Sequence, residues 1–110
     1  MIALTSATRV FVSLDPVDLR KSFGGLQGLV KDQLRQDPLS GHIFMFTNRN
    51  RNRLKLLYWD GSGLWVATKR LEKSRFDWPG AETSGQLRPE EFHALVNGLE
   101  VVRQKAWYRK

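Results

Sequence analysis

The chain has 110 residues, no cysteine and a formal net charge of +7, with 41% apolar and 11% aromatic residues. That is one domain with enough apolar material for a core, and without cysteine there is no disulfide, no thiol catalysis and no Cys-ligated zinc. No run of about 18 apolar residues occurs, so no transmembrane helix is expected; the start MIALTSATRVFVSLD has no basic segment followed by a long apolar block, so no signal peptide is expected either, and the chain reads as cytoplasmic.

In chain order, Arg9 to Ser13 alternates and is rich in β-branched residues, which predicts a short strand. Asp18 is then a candidate N-cap for a helix with Leu19, Phe23, Leu26, Val30 and Leu34 along one face. Gly24, Gly25 and Gly28 each weaken that helix by up to about 1 kcal/mol relative to alanine, which implies either close packing against another element or a late start. The helix should stop near Gln36, because Pro38 disfavours helical geometry at Asp37.

Ile43 to Thr47 reads as a strand buried on both faces, since both of its alternating sets are apolar. Leu54 to Trp59 and Leu64 to Arg70 form a predicted hairpin around the turn Asp60-Gly61-Ser62-Gly63. Arg75 to Trp78 suggests one more short strand, ended by Pro79, and residues 80 to 86 form a surface loop. A second helix begins near Pro89, has Glu90 and Glu91 at the positive end of its dipole, and carries Phe92, Leu95, Val96 and Leu99 on its apolar face. Gly98 is its expected terminator. The expected fold is α+β, a mostly antiparallel sheet of four to five strands packed with one or two helices. Residues 1 to 102 make the domain and 103 to 110 a basic C-terminal tail.

The charge is not spread evenly. Asn48 to Arg75 holds eight bases against two acids, whereas residues 1 to 47 net +1 and residues 76 to 110 net zero. Localised charge of this kind points to a polyanion. The first candidates for phosphate contact are Arg49, Arg51, Arg53 and Lys55, on and beside an Asn-Arg repeat that joins two strands. The second set is Lys69, Arg70, Lys73 and Arg75, which the hairpin can bring near the first. A solvated loop is the competing account of the repeat. The aromatics of the hairpin could stack bases, but a domain this small needs them in its core. Arg20 and Lys21 fit a solvated polar face.

Catalysis finds little support. His42 and His93 lack metal-ligand or triad spacing, no tight carboxylate cluster suits two-metal chemistry, and no phosphate-binding glycine loop with its Lys-Ser/Thr ending is present. No cofactor and no metal are expected.

Several ordered motifs carry a resemblance. These are Asp18 to Leu26 (DLRKSFGGL), Gly41 to Phe46 (GHIFMF), Tyr58 to Trp65 (YWDGSGLW), Lys69 to Glu72 (KRLE) and Arg75 to Pro79 (RFDWP). Together they resemble the small accessory protein encoded by the second open reading frame of bacterial insertion sequences of the sixty-six family, over roughly residues 1 to 102. The resemblance implies a role in DNA transposition beside a separate, larger transposase that carries the catalytic acids. It supplies no catalytic residues to transfer. Three positions depart from the family's pattern: Asn50 to Asn52 stand where a Gly-Asp pair is frequent, Arg88 stands where a threonine cap is frequent, and the tail beyond Val102 is long. The expectation is a non-catalytic accessory factor whose partners are DNA and the transposase of the same element, with no membrane partner and with self-association open. The alternative is a protein-interaction module that docks on the transposase, or on a second copy of itself, without touching DNA.

Overall fold

A computed structural model describes residues 5 to 80 and 83 to 101. Five strands, β1 (Val10–Val12), β2 (Ile43–Thr47), β3 (Arg53–Trp59), β4 (Leu64–Arg70) and β5 (Gln86–Leu87), form one sheet in the order β4-β3-β2-β1-β5. β1 and β2 are parallel and the other three pairings are antiparallel. The parallel pair is joined by helix α1 (Phe23–Asp32), and helix α2 (Pro89–Val96) follows β5. This is the expected α+β architecture. The expected basic tail at 103 to 110 lies outside the described residues.

The sheet is covered on both sides, and this follows from the alternation of β2. Ile43 and Met45 point into a core with Val10, Val12, Leu54, Leu56, Phe76, Trp78, Leu87, Phe92 and Leu95 beneath α2. Phe44 and Phe46 point the other way, into a smaller core with Leu57 and with Leu26 and Val30 of α1. All five residues of β2 are buried, as a strand between two covered faces must be.

Three local expectations are corrected. Asp18 is not the helix cap: its carboxylate accepts from the Arg20 backbone N–H at 3.0 Å and pairs with the Arg20 guanidinium at 2.8 Å, which holds a short turn ahead of the helix. The helix starts only at Phe23, so Leu19 reaches the core from non-helical chain while Phe23 itself is 46% exposed. A Cβ at Gly24 or Gly28 would meet nothing within 4 Å, so those two mark the late start. At Gly25, by contrast, a Cβ would come within 2.9 Å of the Lys21 side chain, so this glycine lets Lys21 pack closely on the first turn. The helix ends at Asp32, ahead of Gln36, and the chain reverses through Arg35 in the left-handed region (φ 55°).

Residues 75 to 78 form no strand. Phe76 and Trp78 are buried beneath the α2 face, and the Trp78 indole Nε1–H donates to the Ser13 carbonyl at 2.8 Å. Their alternation is that of a segment crossing over the sheet. α2 begins at Pro89 as expected, with the Glu91 carboxylate accepting the Arg88 N–H at 2.9 Å. Arg88 has no acceptor to return the bond, so only the glutamate half of a capping box operates. At the other end the Gly98 N–H donates to the Leu95 carbonyl and the Leu99 N–H to the Ala94 carbonyl, with Gly98 at φ 73°. That is a Schellman termination. It carries Leu99 out of the apolar face, where it is 59% exposed.

Candidate nucleic-acid interface

The loop between β2 and β3 is built by its asparagines. The Arg51 N–H donates to the Asn48 carbonyl at 3.0 Å, closing a turn, and Arg51 then adopts the left-handed conformation (φ 57°). The Asn48 side-chain oxygen accepts from the Asn52 and Arg53 N–H groups at 3.1 and 3.2 Å, and its amide donates to the Asn52 side chain at 2.7 Å. Asn48 is therefore committed to the loop's own backbone and the Asn52 side chain to Asn48, and the contacting groups left at the tip are Arg49, Asn50 and Arg51, all exposed.

The chain leaving β4 is laid against this loop. The Leu71 N–H donates to the Asn52 carbonyl at 2.9 Å and the Phe76 N–H to the Arg51 carbonyl at 2.7 Å. Lys73 and Arg75 lie between those two anchors, exposed, next to the loop that carries Arg49 and Arg51. Arg53 and Arg70, the first residue of β3 and the last of β4, are register partners at the same end of the sheet. Six of the eight predicted residues (Arg49, Arg51, Arg53, Arg70, Lys73 and Arg75) thus gather at one end of the molecule, opposite the Asp60 turn. Among the described residues, the one acid paired with any of them is Glu72, at 3.3 Å from Arg70, with both side chains more than half exposed. Such a pair adds little stability, and among the described residues it leaves the other five bases without an acid partner.

The two predicted lysines behave differently. The Lys55 ammonium donates to the Lys21 carbonyl at 2.8 Å, ahead of α1 on one face of the sheet. The Lys69 ammonium donates to the Val96 carbonyl at 2.8 Å, at the negative end of α2 on the other face. Each lysine ties a helix to the hairpin. Sequence reasoning did not find these tethers, because each joins groups far apart in the chain.

The hairpin aromatics divide as a core requires. Tyr58 packs against the larger core, and Trp65 is 43% exposed with its Nε1–H donating to the Asp60 carboxylate at 2.8 Å. Both sit at the turn end, about 17 Å along the strands from Arg53 and Arg70. The Asp60 carboxylate also accepts from the Ser62 N–H at 2.8 Å, the Ser62 hydroxyl and the Gly63 N–H. These bonds, with the Ser62 N–H foremost, stabilise the charged form and hold the carboxyl far below the usual carboxylate range.

Arg20, the other base at a predicted helix start, is occupied by Asp18, whose carboxyl the Arg20 guanidinium lowers to about 2. His42 Nδ1 accepts from the Arg9 N–H at 3.0 Å. Among the described residues no group of three or more His, Asp or Glu is placed to hold a metal ion, and no helix is long and apolar enough to cross a membrane.

Comparison with known proteins agrees with the motifs. A family model described as IS66 Orf2 like protein matches residues 8–106. The uncharacterized protein y4jC of Sinorhizobium fredii is 41% identical over 106 residues, covering 96% of this chain and 91% of that protein. A second protein of the same organism, y4hO, is 34% identical over 93 residues, covering 84% and 81%. No solved structure matches. The chain belongs to the IS66 Orf2-like family, whose place is that of an accessory product of an insertion sequence.

Proposed function

We propose that this IS66 Orf2-like protein acts in DNA transposition as a non-catalytic accessory factor that grips the DNA backbone with its basic end while a separate transposase performs the chemistry. One observation carries the reading: Arg53 and Arg70 face each other in register, beside a loop and a return segment that bring Arg49, Arg51, Lys73 and Arg75 to the same end. Like charges directly opposite on a sheet cost stability. A phosphate between the two guanidiniums turns that repulsion into two charge-assisted bonds. Lys55 and Lys69 extend the field along the two faces while their ammonium groups hold the helices. A rigid loop anchored at Asn48 presents the arginines with less ordering to lose on binding.

The test is a salt series of equilibrium binding to duplex DNA. Each phosphate contact contributes about 0.9 to the slope of log K against log salt. Replacing Arg49, Arg51 and Arg53 together by alanine should lower that slope by up to about 3. If the intact protein shows no binding at low salt, the reading is wrong.

A further inference from the structure

β4 is one edge of the sheet and runs for seven residues, while the other edge, β5, has two. Its pairing with β3 is one to one from Trp59↔Leu64 to Arg53↔Arg70, with no bulge, and it contains no proline. An edge of this kind presents a row of open backbone groups. The hydrogen bonds at the two ends of the ladder identify them: the Leu71 N–H donates to the Asn52 carbonyl, and the Asp60 N–H donates to the Gly63 carbonyl. Antiparallel pairs alternate between bonded and non-bonded. Trp65, Ala67 and Lys69 therefore exchange bonds with β3, and Leu64, Val66, Thr68 and Arg70 turn their N–H and C=O groups outward. Among the described residues no hydrogen bond reaches those outward groups.

We infer that this edge pairs with the same edge of a second copy, antiparallel and centred on Ala67. In that register Leu64 faces Arg70 and Val66 faces Thr68, so every outward group of both copies gains a partner. Sliding the copies by two residues leaves the outward groups of Leu64 or of Arg70 bare. The same register sets the half-exposed ring of Trp65 opposite Lys69 of the second copy, in the closer, non-bonded kind of pair, where the aliphatic stem of Lys69, whose ammonium stays on the Val96 carbonyl, covers the indole. It keeps the two Arg70 residues six positions apart, about 20 Å along the strands. Each basic end then lies beside the other copy's Asp60 turn, which holds a fully ionised carboxylate. The result is one continuous sheet of doubled width with a basic end at each extremity.

The absence of native cysteine gives a direct test. Ala67→Cys puts a single thiol on the two-fold axis, where facing Cα atoms of a non-bonded pair are about 4.5 Å apart, within disulfide range. The expected results are a mass of twice 12.7 kDa in a sedimentation concentration series, and a covalent dimer from Ala67→Cys under mild oxidation but not from Thr68→Cys. Thr68→Pro removes an outward N–H without touching a bond to β3, so it should yield a folded monomer. If that variant fails to fold, the sedimentation series and the cysteine pair decide. A chain that stays monomeric up to about 1 mM overturns the inference. So does a dimer that Ala67→Cys fails to cross-link, a dimer that survives in folded Thr68→Pro, or an edge occupied by a strand of a different protein.

Discussion

Arg53 and Arg70 stand directly opposite each other across the β3–β4 ladder, on the sheet face that carries α1. Like-charged cross-strand neighbours destabilise by about 0.2–1 kcal/mol, and the exposed Glu72 beside Arg70 offsets little of it. Removing one guanidinium should therefore move stability and binding in opposite directions. Arg53→Thr, which keeps a good strand residue, is expected to be as stable as the parent or more stable by up to about 1 kcal/mol in urea denaturation. Its duplex-binding salt slope should fall by about 0.9. A loss of stability would make Arg53 a structural residue, and an unchanged slope would remove it from the interface.

Arg51 offers the same separation by a different route. It sits at φ 57°, a conformation that costs an L-residue about 1–2 kcal/mol and glycine almost nothing. The added freedom of glycine in the unfolded chain takes back roughly half of that gain. Arg51→Gly should thus exceed both the parent and Arg51→Ala in stability by about 0.5–1 kcal/mol. The two variants lose the same charge and should bind DNA equally weakly. Denaturation and binding curves on this pair distinguish backbone strain from charge.

Asn48 is expected to matter for binding without carrying any charge. Asn48→Ala deletes the amide that holds Asn52 and Arg53 in place. Leaving the partly buried Asn52 groups unpaired should cost about 1–3 kcal/mol. DNA affinity should drop although all eight bases remain. Full affinity in Asn48→Ala would mean that the arginines bind from a loop that needs no order.

How much of this was legible before folding depends on how local the cause was. The β3–β4 hairpin, the doubly buried β2 and the Gly98 stop were readable because alternation, turn chemistry and helix termination act over a few residues. Residues 75 to 78 were misread because Phe76 and Trp78 alternate equally well in a strand and in a segment laid across a sheet. Hydrophobic pattern records which side is buried, not whether a ladder partner exists. Leu19 and Phe23 extended the helical stripe in sequence, but the real boundary was set by Asp18 closing a turn with Arg20. At the basic end the charges themselves were legible. The return of residues 71 to 76 onto the Asn48 loop was not, nor were the ties from Lys55 and Lys69 to distant carbonyls, since these are tertiary contacts.

Gly28 tests the reading of α1. A Cβ there meets nothing within 4 Å, and its φ lies outside the left-handed region. Gly28→Ala should stabilise the protein by about 0.5–1 kcal/mol, through helix propensity and reduced freedom of the unfolded chain. The measurement is a urea midpoint shift at constant m-value. A destabilised variant would mean that another surface approaches this face of the helix.

Asp60 gives the hairpin a pH signature whose sign is fixed. Its carboxyl is depressed in the folded protein, because the Ser62 N–H, the Trp65 indole and further donors bind the charged form. A group depressed on folding contributes stability in full above its unfolded pKa of about 3.9, and loses it as pH falls toward the folded value. The turn should therefore be unchanged from neutral pH down to about pH 4 and weaken only below that. Asp60→Asn should remove this acid limb. Its side-chain oxygen can still serve the Ser62 and Gly63 N–H groups, but its NH₂ then faces the Trp65 Nε1–H, donor against donor. The variant should unfold at lower temperature, and the Trp65 indole N–H resonance should move upfield as its hydrogen bond is lost. An indole resonance that stays in place in Asp60→Asn would show that the ring is held by packing and not by the carboxylate.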